Sequence, residues 1–170
     1  EKLTNKQVNI LCSFKTHKSV FVRHGLTFAL CTIEKKQAVD TLIDLSTDKN
    51  SSVRDWATFG LGSQIDWDTE KIRTALWNRV LDEEIAPKLE AISGLAQRKD
   101  PRIKAILIEE LKEIDEDSLV ILRAIDALND KSFIPLIEKK IEQNKISSTL
   151  NEESLTTTLD NLKSIDNRNS

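Results

Sequence analysis

The sequence predicts an all-α protein: a right-handed α-α superhelix, or solenoid, of about four helix-pair repeats, with a partial repeat before them and a capping helix after. Three observations predict it. One short segment recurs four times at near-constant spacing, each copy is amphipathic at helical period, and no stretch alternates at period two for long enough to build a sheet.

The recurring segment is Val22-Arg23-His24-Gly25-Leu26-Thr27-Phe28-Ala29-Leu30, matched by Val53-Arg54-Asp55-Trp56-Ala57-Thr58-Phe59-Gly60-Leu61, then by Glu90–Leu95, then by Arg123–Leu128. The final leucines stand 31, 34 and 33 residues apart, the length of one helix–turn–helix unit. Within the second copy Val53, Ala57, Gly60 and Leu61 share one helical face. Gly60 and Gly94 fall at matching positions, where Ala29 and Ala127 stand in the other copies. A helical glycine costs about 1 kcal/mol relative to alanine, so smallness at this site implies close approach of a neighbouring helix.

A second helix follows each first one: Lys36–Ser46, Thr69–Leu81, Arg102–Lys112 and Phe133–Glu142, each with an apolar stripe such as Ala38, Val39, Leu42 and Leu45. Asp68, Asp100 before Pro101, and Ser132 are the predicted caps for the last three of these, with Pro135 tolerated in the first turn. Pro87 falls near the start of the third first helix. The repeats therefore run near 16–46, 48–81, 82–112 and 117–142, inside a repeat domain of 1–142. Such units bury their apolar faces only by stacking.

The pattern Asp48, Val53, Arg54, Ala57, Gly60, Leu61, Gly62 resembles the HEAT-like repeat of the armadillo-like solenoids, in particular the short form named from phycobilisome lyases. The third copy departs from it with Pro87-Lys88 where Val-Arg is expected, and the fourth with Val120-Ile121. The resemblance implies that a turn aspartate and an early arginine tie adjacent repeats together, which makes Arg54 and Arg23 scaffold residues. It also implies that the second helices line a concave face. Equivalent positions there are Asp40 and Asp44, Arg73 and Trp77, Lys104 and Ile108, and Glu138 in the fourth, and these are the candidate partner-binding residues. Exposed tryptophan and arginine are typical binding anchors; packing of Trp77 into the stack is the competing role.

Residues 1–14 read as half a repeat, and the chain has no methionine, so the expectation is that further residues precede it. Residues 143–170 fall outside the pattern and read as a linker, a short helix from Asn151 with Leu155, Leu159 and Leu162 on one side, and a disordered tail from 164. That helix is read as a cap in preference to a partner-binding helix.

The net charge of −3 demands neither a nucleic acid nor an anionic membrane, and the composition is that of an ordinary soluble protein. The charge is uneven: residues 1–36 sum to +5 and the remainder to −8. No apolar run is long enough to span a bilayer and no signal-peptide pattern occurs, so the predicted location is cytoplasmic, as a monomer or weak oligomer. Cys12 and Cys31 lie in apolar runs and read as reduced, buried thiols.

Chemistry finds little purchase. His17 and His24 are the only histidines and have no ligand partners at metal-binding spacing. The His-Glu pairs with which deoxyhypusine hydroxylases hold iron on this fold are missing. Pairing Cys12 with His17, or Cys31 with His24, asks a buried thiol to act as nucleophile. The carboxylates of Asp82–Glu84 and of the 113–117 turn read as caps and solvated surface, with a divalent-ion site in the latter as the outside alternative. The expectation is a non-catalytic scaffold or adaptor that binds a protein or peptide on its concave face and needs no cofactor and no metal. The alternatives are a nucleic-acid-binding or DNA glycosylase-like protein, opposed by the net charge and by Asp40 and Asp44, and a bilin lyase or chaperone-like subunit, which rests on the name of the repeat alone.

Overall fold

A computed structural model describes residues 3–113, 119–147 (side chains to 143) and 152–164. These residues are helical with no strand among them, in the order α1 (Asn5–Cys12), α2 (Val20–Leu30), α3 (Lys36–Leu45), α4 (Ser51–Phe59), α5 (Glu70–Trp77), α6 (Ile85–Gln97), α7 (Ile103–Lys112), α8 (Leu119–Leu128), α9 (Ile134–Ser147) and α10 (Glu152–Lys163). Among them no helix is long and apolar enough to cross a membrane. The chain divides into two units, Glu1–Leu95 and Ala96–Ser170.

In the first unit, helices two apart in sequence pack together: α1 on α3, α3 on α5, and α2 on α4, with α2 and α4 also against α3. First helices thus form one layer and second helices the other. The layers meet over Val8, Leu30, Leu42, Leu61, Ile72 and Leu76, all fully buried. Thr4 begins α1 with a capping box, its hydroxyl accepting from Gln7 N at 3.3 Å while Gln7 Oε1 accepts from Thr4 N at 2.8 Å. Asn50 caps α4 by accepting from Val53 N.

After Phe59, α4 widens into a π turn, Gly60–Gln64. The two small residues predicted from the repeat explain its fit. A Cβ on Gly60 would stand 3.0 Å from Cys31 Sγ and 3.2 Å from Leu42 Cδ1. A Cβ on Gly94 would stand 2.6 Å from the Cα of Gly62. No glycine adopts positive φ, so closeness and not backbone freedom is what these positions require.

The turns between repeats are locked by buried arginine–carboxylate forks. Arg23 donates to both oxygens of Asp48 at 2.6 and 2.9 Å, and Arg54 to both oxygens of Asp82 at 2.7 and 2.7 Å. The remaining nitrogen of Arg23 donates to the carbonyl of His17 at 2.8 Å, and that of Arg54 to the carbonyl of Asp48 at 3.0 Å. Each arginine therefore spans from its own turn to the next. The Arg54 guanidinium holds the Asp82 carboxyl below the usual range; for Asp48, burial pulls upward but Arg23 and the Asn50 N–H outweigh it.

Four turn aspartates share one local geometry. Asp48, Asp82, Asp100 and Asp130 each accept from the backbone N–H two residues on, at 2.9, 3.1, 3.1 and 2.9 Å. This corrects three predicted caps. Thr69, not Asp68, caps α5 by accepting from Ile72 N, because the helix starts at Glu70 and the cap must directly precede it. Asp100 is taken up by its Asx turn and by Arg102, so α7 begins at Ile103. Asp130, not Ser132, opens a 3-10 turn over Lys131–Phe133 that precedes α9.

In the second unit α7 packs on α8, while α10 packs on both α8 and α9. Asn129 ends α8 at φ 60, a left-handed conformation that asparagine tolerates. The linker expected from Gln143 is helical as far as Ser147, since Glu, Gln and Lys favour helix and no glycine or proline intervenes. The expectation of a disordered tail falls mainly on 165–170, outside the described residues, as does most of the 113–117 turn. The short helix predicted from Asn151 is α10, with Leu155 and Leu162 fully buried. Leu155, Thr158, Leu159 and Leu162 stand 34 residues after Ile121, Ala124, Ile125 and Leu128, all of them buried. So α10 bears the relation to α8 and α9 that α4 bears to α2 and α3, a register hidden from the sequence by the polar substitutions around it.

Candidate binding groove between the second helices

Helices α3 and α5 leave between them a shallow groove of about 490 Å³. Its floor is Ile43 and Ala75 with the methyl-bearing Thr74; its walls are Asp40 and Asp44 from α3 and Glu70, Lys71 and Asn78 from α5. The helical period explains the selection: 40, 43, 44 and 47 form one stripe of α3, and 70, 71, 74, 75 and 78 face it from α5. The buried stripe of α3, Ala38, Val39, Leu42 and Leu45, points the other way, into the core.

The acidic wall is partly neutralised. Lys36 Nζ reaches Asp40 at 2.6 Å and Lys71 Nζ approaches the same carboxylate at 3.8 Å. The Lys36 hydrogen bond is the main reason the Asp40 carboxyl sits below its usual range. Lys15, reaching over from the turn after α1, donates to Asp44, and that contact raises the lysine. These pairs are exposed, and a ligand cation can replace a lysine there at little loss.

The seven predicted binding residues are not all brought together. Asp40 and Asp44 line the groove. Arg73 and Trp77 lie on α5 outside its lining: Arg73 forks onto Asp68 at 2.7 and 2.7 Å, and Trp77 is half-buried. In the second unit Lys104 is engaged with Asp130 at 2.8 Å, and Glu138 with Lys163 at 2.8 Å, a bridge from α9 to α10. Ile108 lines a separate depression of about 280 Å³ between α7 and α9, with Leu111, Leu136 and Lys140.

Sequence reasoning passed over an aromatic cluster on the first helices. Trp56 makes T-shaped contacts with His24, Phe28 and Phe59 at centroid distances of 6.0, 5.3 and 5.5 Å. The repeated Thr-Phe pairs at 27–28 and 58–59 were its signal. Nearby, burial raises Asp55, and Glu90 is raised by its own burial and then by the Asp55 charge, while Ser63 donates to it at 3.3 Å. Cys31 is buried with its thiol pushed up to about 11 and donates to the Trp56 carbonyl; Cys12, expected to be buried, is only half-buried. Its thiol donates to the Gln37 carbonyl at 3.5 Å. Both cysteines are free thiols.

No protein-family model matches the chain. Over 151 residues it is 32% identical to Protein YibA of Escherichia coli strain K12, covering 86% of this chain and 50% of the relative. Protein YibA of E. coli O157:H7 matches to the same extent. The chain thus spans about half the length of the curated relatives it matches. An X-ray structure of E. coli YibA aligns with 95% of this chain and 71% of that one at a TM-score of 0.66 and 23% identity, a likeness of fold.

Proposed function

We propose that the chain is a non-catalytic, cytoplasmic HEAT-like adaptor that holds a protein segment in the groove between α3 and α5. The observation that supports this most directly is an apolar floor, Ile43 and Ala75, beside an acidic wall, Asp40 and Asp44 of α3, with Glu70 opposite. An extended or helical segment with apolar side chains flanked by lysine or arginine has the complementary chemistry. The basic side chains of the ligand replace Lys36 and Lys15 at Asp40 and Asp44. A polyanion meets three carboxylates, Asp40, Asp44 and Glu70, which weighs against the nucleic-acid reading.

The test is affinity capture from native extract on immobilised protein, comparing wild type with Asp40→Lys plus Asp44→Lys. The expected result is a partner retained by wild type, lost from the double variant, and released by moderate salt. Equal retention by both, with unchanged circular dichroism melts, removes the groove as the site. Arg73→Glu with Trp77→Ala is the comparator and leaves binding within about threefold, since those side chains lie off the groove.

A further inference from the structure

The groove does not stop where its two helices end. Thr47 and Asn78, at the C-terminal ends of α3 and α5, line it and also line a second cavity, of about 340 Å³, over the turns that follow. That cavity is polar: Asp48, Arg54, Arg79, Asp82 and Glu83 surround it, with the exposed Leu81. Its two arginines are used differently. Arg54 spends Nε and both Nη nitrogens on Asp82 and the Asp48 carbonyl. Arg79, its side chain 20% exposed, donates only through Nη1, to Asp82 Oδ2 at 2.9 Å. Its Nε is buried with no hydrogen-bond partner among the described residues. Both Asp82 oxygens are already taken by Arg54, so the tie between the turns is complete without Arg79. A guanidinium with donors to spare in the wall of a cavity is ready for an acceptor from outside the fold.

The surroundings select a neutral acceptor. Three carboxylates and two guanidiniums line the cavity, so a phosphate or carboxylate meets repulsion there. A carbonyl oxygen accepts from a guanidinium without bringing a charge. An α-helix spends its carbonyls on its own amides and has only those of its last turn to offer. An extended chain offers one at every residue. The length agrees: Asp40 and Thr47 are about 10 Å apart along α3, which about three extended residues cover before the turn cavity begins. Building on the groove reading above, we propose that groove and turn cavity form one site for an extended polypeptide segment. Its basic side chains lie along Asp40 and Asp44 and its apolar side chain on Ile43 and Ala75. Beyond these, a main-chain or side-chain amide carbonyl accepts from the Arg79 guanidinium.

The probe is an acetylated, amidated peptide, Gly-Asn-Gly-Lys-Leu-Ala-Lys-Gly-Asn-Gly, whose flanks supply carbonyls in either chain direction. Its control is the Lys-Leu-Ala-Lys core alone. Each is titrated into nitrogen-labelled protein and followed by magnetic resonance. Both peptides are expected to move the amides of Ile43 and Ala75, and only the long one the Nε–H signal of Arg79. Arg79→Leu should weaken the long peptide about fivefold and leave the core peptide unchanged, which also shows that the variant is folded. If Arg79→Leu leaves both affinities unchanged while the groove amides still shift, the joined site is overturned and the groove stands. If neither peptide shifts the groove amides, both readings fall. A helix-stabilised long peptide, with α-aminoisobutyrate in place of its glycines, should bind more weakly; tighter binding assigns the site to a helix and overturns the proposal.

Discussion

Helices α2 and α10 each press one side into the stack and turn the other outward, but the outward sides differ in kind. On α10 the outward side is Glu152, Glu153, Thr156, Thr157, Asp160 and Asn161, all exposed. On α2 it is Phe21, Gly25, Phe28 and Ala29. The inward sides are equally apolar: Leu155 and Leu162 in one, Leu26 and Leu30 in the other. The outward side of α10 is polar, whereas that of α2 is apolar. The inward residues of both helices carry the packing, and the outward residues set the character of the exposed surface.

The contrast is broken most severely by truncating an inward residue. Leu162→Ala is expected to lose about 2–5 kcal/mol in urea denaturation, and Phe21→Ala to change stability by less than about 0.5 kcal/mol. Equal losses would mean that α2 is covered in solution. Next in size are the two glycine sites. Gly94→Ala drives a methyl into the Gly62 backbone and should cost about 1–3 kcal/mol, whereas Gly25→Ala, in a helix with open space beside it, should gain about 0.5–1 kcal/mol. Thermal melts of the two variants give the comparison directly.

A smaller pair of effects is electrostatic and opposite in sign. Burial raises Asp126, whose Oδ2 accepts from Asn161 and Thr158 of α10 and whose Oδ1 has no hydrogen-bond partner among the described residues. The folded state then binds its proton more tightly than the unfolded state, so stability falls as pH rises above the ordinary aspartate value. Asp126→Asn should relieve this, gaining about 1 kcal/mol at neutral pH and little at pH 3. Asp130 behaves conversely: Lys104 and the Ser132 hydrogen bonds bring it from 3.8 to about 2. Its contribution is present above 3.8 and lost as pH falls through about 2. With side chains 32% and 41% exposed, Asp130 and Lys104 are screened, and Asp130→Asn should remove less than about 1 kcal/mol at neutral pH.

Most of the helices could be read from the sequence because inward residues recur at fixed spacing, as Val53, Ala57 and Gly60 do. Arg54 could be read as a tie between turns, yet its partner carboxylate, Asp82, could not: the fork reaches forward to the next turn, and spacing alone does not tell forward from backward. Helix starts were displaced where a turn aspartate folds an Asx turn before the helix, at Asp100 and Asp130, since the same side chain serves either role. Of the candidate site, Asp40 and Asp44 were legible as exposed positions on α3. Arg73 and Trp77 share a face with each other but not with the groove, because one helical step separates them from Thr74 and Asn78. The bare face of α2 was invisible in sequence, where Phe21 and Phe28 read as ordinary helical hydrophobics.

The two arginine forks carry a dynamic consequence. Arg54 holds the Asp82 carboxylate and the Asp48 carbonyl at once, while Asp48 itself clasps Arg23. Three successive turns are thereby coupled into one cooperative foldon. In native-state hydrogen exchange the amides of α2 and α4 should become labile together, at a single opening free energy, instead of unzipping one repeat at a time.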